Sequence, residues 1–233
     1  MKKKSILVAG LSVMIIASMA IAGTLAYFTD NKTATNTFTV GNVAITLDEA
    51  PVTKDKNGDT WTADTEAARV TRNEYEGVYP GAVLPKDPTV TLNSGSSDAY
   101  VRVKVTVSHA KAWQDACKTH EISDLTAIFG GYDKDSWTRA DIIEDKNADT
   151  LTYVYNYTLA GGRLSAGKKT GPLFETVTIP GSFTSTEMAA IATKNSDNEN
   201  DKDGFTLTVT ADAIQAESFT SVTAAFAQFP ANP

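Results

Sequence analysis

Cysteine is almost missing: the 233-residue chain holds one, Cys117. A lone cysteine closes no intramolecular disulfide, and there is no Cys-x-x-Cys or Cys/His cluster to hold structural zinc. Histidine is nearly as scarce. His109 and His120 are the only two, and they lie outside any His-Glu-x-x-His pattern, so a zincin-type hydrolytic site has no local support. No Gly-x-Ser-x-Gly elbow, Walker loop or dinucleotide-binding glycine fingerprint occurs, and the pairs Gly130-Gly131 and Gly161-Gly162 read as turns. No cofactor is expected. Basic residues are outnumbered, 21 Lys plus Arg against 28 Asp plus Glu, for a net charge of −7. A phosphate backbone calls for a basic stripe that this chain lacks, which argues against nucleic acid as a partner.

What the chain has in quantity is apolar and aromatic residues, 42% and 9%, enough for a globular core. It opens with Lys2, Lys3 and Lys4, then an apolar run over 6–22, then the small residues of Gly23-Thr24-Leu25-Ala26. A cationic head, an apolar stretch and a small-residue junction form an export signal, and 1–26 are read as a signal peptide cleaved between Ala26 and Tyr27. An uncleaved anchor is the competing reading, since 6–22 is at the short edge of what spans a bilayer. Cleavage would remove three lysines and no carboxylate, leaving a more acidic chain outside the cell.

The body alternates with period two. In 99–108, Val101, Val103, Val105 and Val107 share one face while Arg102, Lys104, Thr106 and Ser108 share the other. The pattern returns in 151–159 with Leu151, Tyr153, Tyr155, Tyr157 and Leu159, and in 205–210 with Phe205, Leu207 and Val209. Shorter strands are expected at 89–92 and 173–179. In 36–48 the apolar phase slips from even (Ala34, Phe38, Val40) to odd (Val43, Ile45, Leu47) across Gly41-Asn42, which predicts a bent strand or two strands serving different sheets. Several short strands divided by Gly, Pro and Asn clusters predict an antiparallel β-sandwich. Helices are few: a capping box at Thr184 and Glu187 opens one over about 185–194, and weaker ones are expected within 111–130 and 218–228. The sandwich is assigned to 41–217, with 49–88 as a loop-rich insertion whose Lys56-Asn57-Gly58-Asp59 forms a hairpin turn, and 218–233 as a tail.

The one dense carboxylate cluster is Asp197, Glu199, Asp201 and Asp203, alternating as calcium ligands do. With Gly204 in the sixth position of an EF-hand loop, the twelfth is Thr210 instead of Glu, and a strand follows where a helix should. A solvated loop is the better reading, and no metal site is assigned. The stripe of Tyr153, Tyr155 and Tyr157 could be a ligand platform, but packing within a sheet face is favoured.

The run 23–41, GTLAYFTDNKTATNTFTVG, resembles the N-terminal signature of the TasA/camelysin family of exported biofilm matrix proteins, at Ala26, Tyr27, Phe28, Thr29, Asp30, Asn36, Phe38 and Gly41. Weaker similarity continues in 87–105, 172–188 and 205–217; the insertion has no counterpart. The resemblance implies processing by a SipW-type signal peptidase, a jelly-roll-like sandwich and extracellular fibres at the cell surface. The freed segment 27–40, bearing Tyr27, Phe28, Asp30, Ala34, Phe38 and Val40, is then expected to act as a donor strand to the next copy, giving a head-to-tail homopolymer. An accessory fibre subunit is a further expected partner. Two other classes stay open: a camelysin-like metalloendopeptidase, for which His109, His120 and Glu121 are the only conceivable groups, and a monomeric surface adhesin that uses 49–88 as its recognition loop.

Overall fold

The structure, a computed structural model, describes residues 42–56, 58, 60–192 and 204–228. The expected signal peptide and its Ala26–Tyr27 junction, the donor segment with Phe28, Asp30, Ala34, Phe38 and Val40, and the carboxylates Asp197, Glu199, Asp201 and Asp203 lie outside the described residues.

The valine strand is the axis of the fold. Strand β6 (Ala99–Ser108) lies between β12 (Leu207–Gln215) and β9 (Thr150–Tyr157), antiparallel to both, and β8 (Trp137–Asp145) closes the far side of β9. The β6–β9 ladder stops at Arg102–Asn156 and resumes at Tyr100–Arg163 with the short β10 (Arg163–Leu164), after an excursion through a 3-10 turn at Leu159–Gly162. Glycine is required at the last of these residues, where φ is +84° and a Cβ would sit 2.9 Å from the Tyr157 carbonyl oxygen.

The register puts the predicted stripes on one face, except for Leu159, which leaves the ladder for the 3-10 turn after Tyr157 and is 47% exposed. Val101, Val103, Val105 and Val107 are at most 1% exposed, and Leu151, Tyr153, Tyr155 and Tyr157 are buried beside them. Two smaller sheets cover that face: β1 (Ile45–Asp48) with β5 (Thr89–Leu92), and β4 (Val83–Pro85) with β11 (Thr176–Thr178) and β7 (Phe129–Gly130). Val90, Leu92, Leu84, Val177, Phe174 and Ile179 complete a single core between the layers. The protein is thus all-β and antiparallel, sheet against sheet, with short helices at the margins. Among the described residues no helix is long and apolar enough to cross a membrane.

Helices form at the three predicted stretches, one of them at the predicted capping box. Thr184 and Glu187 form the expected capping box at the start of α2 (Ser185–Ile191). The helix α1 (Ala110–Thr119) buries Trp113, Ala116 and Cys117, and α3 (Val222–Ala227) packs Val222 and Phe226 over Tyr100 on the outer face of the large sheet. Arg102, 5% exposed, lies against the Phe226 ring at 4.4 Å and bonds Asp212, so α3 shields a paired charge.

Residues 49–88 fold onto the core. Strands β2 (Val52–Lys54) and β3 (Trp61–Ala63) pair antiparallel on either side of the predicted 56–59 turn, of which Asn57 and Asp59 lie outside the described residues. Arg69 then ties the segment down: Nε donates to Asp48 at 2.5 Å, Nη1 to Asp87 at 2.7 Å, and Nη2 to the carbonyls of both residues at 3.0 and 2.9 Å. Lys86, partly buried, pairs with the buried Glu49 at 2.7 Å beside it. Arg69→Ala orphans two partly buried carboxylates and should cost about 2–3 kcal/mol. Urea unfolding followed by tryptophan fluorescence checks this, with an unchanged midpoint as the contrary result.

Candidate assembly seam

The large and small sheets each end in an edge strand on the same side of the core, and these two edges do not pair. Strand β12 has a ladder only with β6, and β1 only with β5, although β1 and β12 lie beside each other. The consequence is visible residue by residue. Ile45 and Leu47 face inward opposite Leu92 and Val90, which are fully buried, yet both stay half-buried. Leu207, Val209, Ala211 and Ala213 likewise stand opposite Val107, Val105, Val103 and Val101 and are half-buried while their partners are sealed. All of them, with Val43, touch the main core. The seam is therefore a strip of core left open at two sheet edges, uncharged along its inward face and flanked by backbone donors and acceptors that no ladder uses among the described residues.

The opposite edge is built differently. In β8 the register slips between Arg139 and Asp141, so Ala140 bulges, and Arg139, Asp141, Glu144 and Asp145 charge the strand. A bulge and charges are the usual devices by which an edge refuses another strand.

Among the described residues the titratable groups do not gather into a metal site. His109 caps the start of α1 in a left-handed conformation, buried, with Nδ1 3.1 Å from Ser108 Oγ. His120 caps the other end, and a ten-residue helix spans about 15 Å. His120 Nε2 lies 3.0 and 3.1 Å from the two Glu187 oxygens and its ring packs on Phe183. Glu121 follows with a positive φ. Two histidines at opposite ends of a helix cannot share one ion, and among the described residues no group of three His, Cys, Asp or Glu is placed to hold a metal.

The His120–Glu187 contact has a consequence for acid stability. Hydrogen bonding from the Thr184 backbone, then from His120 and the Thr184 hydroxyl, lowers the Glu187 carboxyl from 4.5 to about 2. A depressed folded value means that the contribution is complete above the unfolded value and is lost on acidification, here between pH 4.5 and about 2. Glu187→Gln should flatten acid unfolding across that window when followed by circular dichroism; an unaltered profile would count against the clasp.

The tyrosine stripe is core: Tyr153, Tyr155 and Tyr157 are all buried. Sequence reasoning found the inward phase of Val43, Ile45, Leu47, Leu207 and Val209 but not that their strands are edges. It ended the last strand at 210, because Ala211-Asp212-Ala213 carries too little apolar contrast to extend the alternation.

No curated protein and no solved structure matches the chain. Residues 1–67 match the family model described as camelysin metallo-endopeptidase, a span that includes the signature at 23–41 and runs through β1 into the insertion. That match, confined to the N-terminal 67 of 233 residues, is similarity to the TasA/camelysin family.

Proposed function

We propose that the protein is a secreted structural subunit of extracellular matrix fibres, and that the seam between β1 and β12 accepts the 27–40 segment of another copy. The observation that carries this reading is the half-buried row Ile45, Leu47, Leu207, Val209 and Ala211, core positions whose strands have a ladder on one side only among the described residues. The segment 34–40 alternates Ala34, Asn36, Phe38 and Val40 with Thr35, Thr37 and Thr39, so one face is apolar but for Asn36 and the other is threonine, a pattern with which a strand can close an apolar gap with its other face in water. Each copy would give a strand at one place and take one at another. Such a contact is heterologous and propagates. Cleavage after Ala26 by a SipW-type peptidase would free the segment, so export and assembly are coupled.

Deleting 27–35 from the processed chain should abolish fibres seen by negative-stain microscopy while leaving its circular dichroism unchanged; fibres of normal length would sink the reading. The family description keeps proteolysis as a second reading. The two histidines do not fit it, and casein cleavage with zinc analysis of the purified chain separates the two.

A further inference from the structure

At the β8 end of the large sheet, away from the seam, Thr126, Phe129, Tyr132, Arg139 and Tyr155 line a cleft of about 110 Å³. Its walls are rigid. Phe129 stacks on Phe174 at 4.7 Å and meets Tyr153 edge-on at 6.1 Å. Tyr132 is held over the opening by its hydroxyl, which donates to the Trp137 carbonyl at 2.7 Å, and its ring tilts across Tyr155 at 5.5 Å.

Two polar groups converge there with capacity to spare. Tyr155 is 3% exposed overall and lines the cleft, and its hydroxyl makes no hydrogen bond among the described residues. Arg139 sits opposite it on β8. Its guanidinium meets Asp124 through one nitrogen at 3.5 Å, and the Asp124 carboxylate is also bonded by the Thr126 backbone at 2.7 Å and the Thr126 hydroxyl. Most of the five guanidinium N–H groups remain for another acceptor.

We propose that this cleft binds a small aromatic carboxylate, its ring between Phe129 and Tyr132 and its oxygens on Arg139 and the Tyr155 hydroxyl. At about 110 Å³ the cleft is smaller than an engineered cavity of about 150 Å³ that holds benzene, so it limits the ligand to one ring seated partly in its open mouth. Three aromatic walls select a flat apolar body. The forked guanidinium and the phenolic donor select a carboxylate over an amine or a neutral ring. The site is independent of the assembly seam.

Fluorine NMR of 4-fluorobenzoate with the purified full-length chain tests it, with 4-fluorobenzylamine as the cationic control. Saturable broadening is expected for the acid alone. Arg139→Gln should weaken binding about tenfold or more, and Tyr155→Phe about threefold to tenfold, the range for losing a charge-assisted and an ordinary hydrogen bond. Both variants should keep the near-ultraviolet circular dichroism of the parent, and Tyr155→Phe, which removes only the hydroxyl, serves alone if the arginine variant fails to fold. No saturable signal at millimolar acid, equal binding of the amine, or undiminished affinity in a folded variant would overturn the assignment.

Discussion

The Val209→Lys substitution is expected to leave the monomer folded and to stop assembly. Val209 faces the core from an edge and is only half-buried. In the isolated subunit a lysine there keeps its stem on the apolar strip and its ammonium in water, at a cost of about 1 kcal/mol. A strand laid across the seam removes that water. Burying an unpaired ammonium costs several kcal/mol, and each 1.4 kcal/mol is a factor of about ten in association. The critical concentration for fibres, measured by pelleting, should rise about a hundredfold or more. Ala140→Lys, at the bulge of the opposite edge, should leave it unchanged. Equal effects of the two substitutions would mean that the seam is not the acceptor.

The second large effect is on stability. Trp113→Ala should cost about 3–5 kcal/mol, the range for removing a large aromatic from a core. Trp113 is 0% exposed, with Phe205 edge-on at 5.0 Å and Phe183 at 5.8 Å. It joins α1 to the start of α2 and to the approach of β12, so the vacated space lies where three segments meet and none can close it alone. For a domain of this size the loss lowers the melting temperature by about 10 °C. Trp113→Phe should cost far less, because the indole Nε1 has no hydrogen-bond partner among the described residues and its removal relieves an unpaired buried donor. Calorimetry of the two variants checks the order; a Phe variant as damaged as the Ala variant would contradict it.

The fold was legible wherever the sequence alternates cleanly. The 99–108 and 89–92 strands have the boundaries that their patterns predict, and the capping box at Thr184 starts α2 where expected. The alternation fails in β8 for a physical reason. The bulged Ala140 shifts the phase, so Trp137 and Arg139 share a face with Ile142 and Glu144, and no run of period two survives in Trp-Thr-Arg-Ala-Asp-Ile-Ile-Glu-Asp. The strand expected at 173–179 is only Thr176–Thr178, because Leu173 and Phe174 plug the core from a loop instead of a ladder. The bend expected across 36–48 is described only from 42 onward, where Ile45–Asp48 is strand.

The seam was half legible. Period two identifies which residues of β1 and β12 face inward, but being an edge is a property of the sheet and leaves no local mark. Ile45 and Val90 read alike in sequence; Val90 is sealed between β1 and the 167–170 loop, whereas Ile45 has β5 on one side and no ladder on the other among the described residues. The Arg69 clamp was invisible for a similar reason, since its partners Asp48, in β1, and Asp87, between β4 and β5, are far apart in the chain. The signature at 23–41 was legible as a family block, and the family match over 1–67 agrees with it.

The most direct test is negative-stain microscopy of the purified chain beginning at Tyr27, beside the same chain with a folded tag fused ahead of Tyr27. A donor strand that must enter a neighbour's seam from its free end gives fibres in the untagged sample alone. Fibres in both samples, or monomers in both at high concentration, would contradict a subunit that polymerises through its free N-terminus.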